Sequence, residues 1–193
     1  MYYQKKNTLL LSIISPVLFF SSFNSLAQTV DTPALKAEAI TTVKQFGGTL
    51  KPQLKKALSE GGVLKAIEVC SVKAPEIAKE LSSSTQWQVK RVSLKARNHP
   101  SAIPNAWEKS VLEEFNQRQA QGESAKKMAK AEVVGDEFRF MKAQGTEQLC
   151  LTCHGSKLNT ETKAALKKYY PNDQATNYSL GQIRGAFSLT KQL

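Results

Sequence analysis

Cysteine and histidine are scarce in this chain, at three Cys and two His in 193 residues. Chemistry needing a thiol or an imidazole must therefore come from Cys70, Cys150, Cys153, His99 or His154. Long apolar runs are scarce as well. Beyond residue 27 none is long enough to cross a bilayer, which excludes a second hydrophobic span and predicts a soluble mature chain. Internal repeats and low-complexity tracts are absent, so a single domain is expected. Acids are outnumbered, 16 Asp and Glu against 27 Lys and Arg, for a formal net charge of +11. That balance suits acidic redox partners, anionic head groups or nucleic acid, and scattered lysines that keep a surface soluble account for it equally well. No nucleic-acid recognition motif accompanies the charge, so nucleic acid is not an expected partner.

The N-terminus reads as a secretory signal over residues 1–27. Lys5 and Lys6 start it, a short apolar core over residues 9–20 is broken by Ser12, Ser15 and Pro16, and Ser25-Leu26-Ala27 offers small residues for cleavage. The expected location is the periplasm. Residues 28–193 form the mature domain of 166 residues. Loss of the two signal lysines lowers the net charge from +11 to +9.

Within the mature chain, Thr32-Pro33 predicts a helix start with Thr32 as cap. Leu35, Ala39, Val43, Phe46, Leu50, Leu54 and Leu58 recur at steps of three and four, one apolar stripe, with a kink or split expected at Pro52 and an end at Gly61-Gly62. A second stripe carries Val63, Ala66, Ile67, Cys70, Ala74, Ile77, Ala78 and Leu81, bent or restarted at Pro75, and Ser82-Ser83-Ser84 reads as a loop. Residues 87–96 alternate as a strand does. Asn105 is placed to cap a helix to about residue 121, with Trp107, Val111, Leu112 and Phe115 inward. Residues 131–134 and 137–142 flank Gly135-Asp136, a short hairpin signal. A helix over residues 160–169, a turn at Pro171-Asn172-Asp173 and a strand over residues 183–189 complete an α+β domain with a small antiparallel sheet.

Cys150-Leu151-Thr152-Cys153-His154 carries the chemistry. Two cysteines three apart reach the two vinyl groups of one porphyrin, and the adjoining histidine places an imidazole on the iron: this is the spacing of covalent haem c. Such haem is attached outside the cytoplasm in bacteria, by a cytochrome c maturation machinery, so motif and signal support each other. Candidates for the opposite iron face are Cys70, His99, Met128 and Met141. Cys70 is a lone thiol on the apolar face of its helix. Periodicity alone leaves it open as ligand or as a small buried hydrophobe.

Val69-Cys70, Arg91-Val92-Ser93-Leu94-Lys95-Ala96-Arg97-Asn98, Pro104-Asn105-Ala106-Trp107-Glu108, the haem motif through Gly155, Tyr170-Pro171-Asn172-Asp173 and Gly181-Gln182-Ile183-Arg184-Gly185-Ala186 form a collinear set. It resembles the family of single-haem c-type proteins with a PAS-like fold. The resemblance implies Cys150 and Cys153 as thioether sites, with His154 and Cys70 as the two iron ligands. His99 departs from it, standing where a proline or small residue is expected. Arg91, Arg97 and Arg184 lie in the matching segments and suit the haem carboxylates, since Arg pairs bidentately with them. Trp107 and Tyr170 are aromatic candidates for the macrocycle or for the core.

The expected function is single-electron transfer, or sensing of redox state or a small ligand. Three alternatives compete: a peroxidase-type enzyme with an open iron face, a Cys/His site for a metal such as zinc, and thioredoxin-like thiol chemistry. The partner is a redox or sensor protein, acidic if charge steers the encounter.

Overall fold

The computed structural model describes residues 1–2 and 30–193, and the signal expected at residues 1–27 lies, but for Met1 and Tyr2, outside the described residues. A long helical segment, α1, runs from Thr32 to Thr85. It is followed by β1 (Gln88–Val92), α2 (Ala106–Ala120), β2 (Ala129–Val134), β3 (Glu137–Gly145), a 3-10 turn (Gln148–Cys150), the short α3 (Leu151–His154), α4 (Thr160–Tyr169) and β4 (Ile183–Gln192). The strands form one antiparallel sheet in the order β1-β4-β3-β2. Fold class and element order are those the sequence predicts.

Four local expectations are corrected. The cap of α1 is Asp31, not Thr32, because the Asp31 carboxylate reaches the Ala34 amide at 3.0 Å. The helix continues through Pro52 and Pro75, and its discontinuity lies at Gly61 (φ −141°, ψ 15°) and Gly62 (φ 64°, ψ −161°), where the sequence places the end of the first stripe. Gly62 occupies a backbone region that only glycine enters without strain. Ser82, Ser83 and Ser84 are helical rather than a loop, since each hydroxyl donates to the carbonyl four residues back, at 2.8 Å, 3.0 Å and 2.9 Å. The first strand ends early, at Val92, where the Ser93 hydroxyl turns to donate to the Arg184 carbonyl at 2.6 Å.

Alternation along the strands divides the molecule into two cores. On one face Val89, Phe138, Phe140, Phe187 and Leu189 meet Ala39, Phe46, Leu50, Ala74 and Ile77 from both arms of α1. On the other, Val92, Met141, Ala143 and Ala186 meet Val111, Leu112 and Phe115 of α2, with Met128. Asn105 and Glu108 form a reciprocal capping box at the start of α2. The buried Glu108 also accepts from the Ser188 hydroxyl at 2.6 Å and pairs with Lys90 at 3.0 Å, which ties α2 to the sheet. Trp107, expected inward, is half-buried and donates to Glu132 at 2.9 Å. Among the described residues no helix is long and apolar enough to cross a membrane.

Candidate functional site

The Cys150–His154 segment leaves β3 through the 3-10 turn and closes as one helical turn, α3. Gly155 ends it. A side chain there would meet the Leu151 carbonyl oxygen at 2.6 Å, so glycine is required for the chain to leave. One turn puts Cys150 and Cys153 at neighbouring positions, both half-buried and free of disulfides.

The imidazole of His154 is fixed by the segment after α4. Its Nδ1 donates to the Ala175 carbonyl at 2.7 Å, which leaves Nε2 as the nitrogen with the available lone pair. Tyr178 stands edge-on to the ring, centroids 6.3 Å apart. Burial, then the positive charge of Arg184 and Arg97, holds the imidazole neutral, its pKa brought down to about 2. A neutral, oriented imidazole is the form that binds a metal.

Cys70 comes from the second arm of α1 and lines a cavity of about 270 Å³ together with Arg91, Arg97, Tyr170 and Arg184. Burial pushes its thiol up, against the pull of the three arginines. A neighbouring cavity of about 900 Å³ is lined by Cys150, Gly47, Leu50, Gln144 and Phe187. Phe46 and Arg91 line both cavities, so the two adjoin between α1 and the sheet.

The arginines reach this place by different routes. Arg91 projects from β1 on the α1 side, its guanidinium 5.3 Å from the Phe46 ring centroid. Arg184 gets there through a β-bulge: Gln144 pairs with Gly185 and Gly145 with Ile183, so Arg184 is the extra residue and is re-aimed toward Gln144, to which it donates. Neither pairs with a carboxylate among the described residues, and burial depresses both, Arg184 to about 10. Arg97 is different, because it is already engaged with Asp173 at 3.0 Å.

The remaining candidates lie elsewhere. Met128 and Met141 are fully buried in the core on the α2 side of the sheet, away from the Cys70 cavity. His99 is exposed on the loop after β1. Trp107 sits with Glu132 and Arg139. Tyr170 lines the Cys70 cavity, with burial raising its phenol to about 12. Among the described residues, no group of three or more His, Cys, Asp or Glu side chains is arranged to hold a metal ion. Burial raises the Cys153 thiol, the reverse of what reactive thioredoxin-type thiols require.

This donor set fits the group that the cysteine spacing implies. Two adjacent thiols and a neutral imidazole stand on one segment, a third thiol stands on another, and two guanidinium groups with no acid partner among the described residues stand beside apolar walls of Phe46, Leu50 and Phe187. The sequence reading missed Ala175 and the bulge at Arg184. A backbone carbonyl carries no residue-type signal, and Asp173 registers in the sequence only as a turn residue.

A family model described as Tll0287-like matches residues 20–191. A solved structure, "Crystal structure of the cyanobacterial heme-protein Tll0287", is similar at 23% sequence identity, covering 83% of this chain and 96% of that one with a TM-score of 0.64. At that identity the likeness speaks to the fold, a PAS-like arrangement of long helix and four-stranded sheet. Comparison with curated proteins finds no match.

Proposed function

The chain belongs to the Tll0287-like family, and from that premise and the site geometry we propose that it is an exported c-type haem protein working in single-electron transfer. Cys150 and Cys153 would hold the porphyrin through thioether bonds, and His154, through Nε2, and Cys70 would hold the iron. When bound, the haem supplies one-electron ferric–ferrous chemistry.

The protein's own residues do the rest. The Ala175 carbonyl accepts a hydrogen bond from Nδ1–H of His154 and so fixes which nitrogen is free to face the metal. Arg91 and Arg184 balance the haem carboxylates. Phe46, Leu50 and Phe187 keep water from the macrocycle. Cys70 as a thiolate donates negative charge, which favours the ferric state and sets a low potential relative to His/Met ligation. The observation that carries the reading is the neutral, oriented imidazole of His154 beside two free half-buried thiols.

One observation favours a second role, sensing of redox state or a small ligand. The cavity beside Cys70 has room for that side chain to move, so a haem held there would be open to a change of ligand. The test is the absorption spectrum of wild type and Cys70→Ala in both oxidation states, with and without carbon monoxide. Cys70→Ala is expected to shift the ferric spectrum, and an unchanged spectrum removes Cys70 as ligand. A ferrous wild-type spectrum indifferent to the gas supports electron transfer, whereas a gas-induced change supports sensing.

A further inference from the structure

Arg97 stands among the three arginines of the site, yet its donors are already committed. Its Nε donates to Asp173 Oδ1 at 3.1 Å, and its Nη2 lies 3.0 Å from Asp173 Oδ2. The same Nη2 donates to the carbonyls of Cys153 at 2.6 Å and Ala175 at 3.1 Å. Its Nη1 lies 3.3 Å from His154 Nε2. With Nδ1 acting as donor to Ala175, Nε2 can only accept, so Nη1 donates to it.

Asp173 completes the unit. Its Oδ1 also accepts the Ala175 amide at 2.8 Å, which shapes the turn that offers the Ala175 carbonyl to His154 Nδ1. Both ring nitrogens are thus addressed from one cluster, Ala175 from one side and Arg97 from the other. Arg97 and Asp173 are 12% and 8% exposed at their side chains, so water competes little for these bonds.

We propose that Arg97 and Asp173 are the positioning pair of His154, holding its ring in the Nδ1–H form with Nε2 presented, and that Arg97 is not a partner of the haem carboxylates. This rests on the haem reading above. When Nε2 binds iron, Nη1 yields that lone pair while the other Arg97 donors keep the Cys153 and Ala175 segments joined. Carboxylate recognition is left to Arg91 and Arg184, which have no acid of their own among the described residues.

The pair also leaves a cation and an anion near the axial ligand, with opposite effects on the iron. A cation there disfavours the more positive ferric state, and an anion favours it. The experiment is a spectroelectrochemical titration of haem-loaded wild type, Arg97→Gln, Asp173→Asn and Arg97→Lys, with haem content checked by mass. Arg97→Gln is expected to lower the reduction potential and Asp173→Asn to raise it. Arg97→Lys keeps the charge and loses the planar fork, so its potential should lie nearer wild type than that of Arg97→Gln while its ferric low-spin resonance splits into several ligand orientations.

Loosening of the structure alone would move both variants the same way, and that result, or no movement in either, overturns the assignment. If Arg97→Gln does not accumulate, Asp173→Asn decides: a potential that falls or stays level overturns it. Wild type without covalent haem would defeat the haem reading itself, a separate outcome from a loaded wild type whose variants fail to diverge.

Discussion

The imidazole of His154 and the guanidinium of Arg91 meet opposite needs within one site. His154 must be neutral to bind iron, and burial with nearby positive charge keeps it so. Arg91 remains charged at a cost, because burial and Arg97 both work against it while no carboxylate among the described residues pairs with it to offset them. Haem carboxylates would supply that offset. Arg91→Gln should therefore reverse sign between two forms of the protein: it raises the thermal midpoint of the haem-free chain and lowers that of the haem-loaded one. Each change should be about 2–4 °C, the shift that roughly 1 kcal/mol makes in a chain of this size. Melting curves of both forms check it, and a shift of the same sign in each would contradict a carboxylate role. The proposed thioether residues, Cys150 and Cys153, are legible in the sequence because their spacing is local and their chemistry is demanding. Cys70 is legible in part: helical periodicity places it inward, and the cavity beside the arginines gives that position a purpose. The Arg97–Asp173 pair is not legible, because its members are 76 residues apart and Arg97 alone resembles its two neighbours.

At the level of elements, the site depends on where α1 changes direction. Its first arm supplies Phe46 and Leu50 and its second supplies Cys70 and Ala74, so the angle between the arms decides whether wall and thiol face one space. Sequence reading gives a kink or split at Pro52, a bend or restart at Pro75 and an end at Gly61-Gly62. Each proline is carried inside a helix long enough to absorb one missing bond, and the turn falls at Gly62, in a backbone region that only glycine enters without strain. Gly62→Ala has open space for the added methyl, so its cost is conformational, on the order of 1–3 kcal/mol. Urea unfolding of the variant measures it, and a loss under about 0.5 kcal/mol would show that the arms do not depend on this residue. The hairpin, α2 and α4 are legible almost to the residue, because a turn pair and side-chain caps announce them. The bulge at Arg184 is not, since register is a property of two strands and only one is read at a time.

Across the whole molecule, the sheet separates tasks. Its α2 face carries a core fastened by Glu108 and Ser188, while the cavities on its α1 face are lined with thiol, arginine and aromatic side chains. The α2 side anchors the sheet, and the α1 side gathers the residues of the candidate site. Membership of the Tll0287-like family and the PAS-like architecture agree with that division. The central claim is that a haem is joined covalently to Cys150 and Cys153. Intact mass spectrometry of the chain, expressed with a working maturation apparatus and then denatured, tests it most directly. The account predicts the processed polypeptide plus one haem, with the addition lost when both cysteines are replaced by serine. A mass equal to the bare processed polypeptide would contradict it.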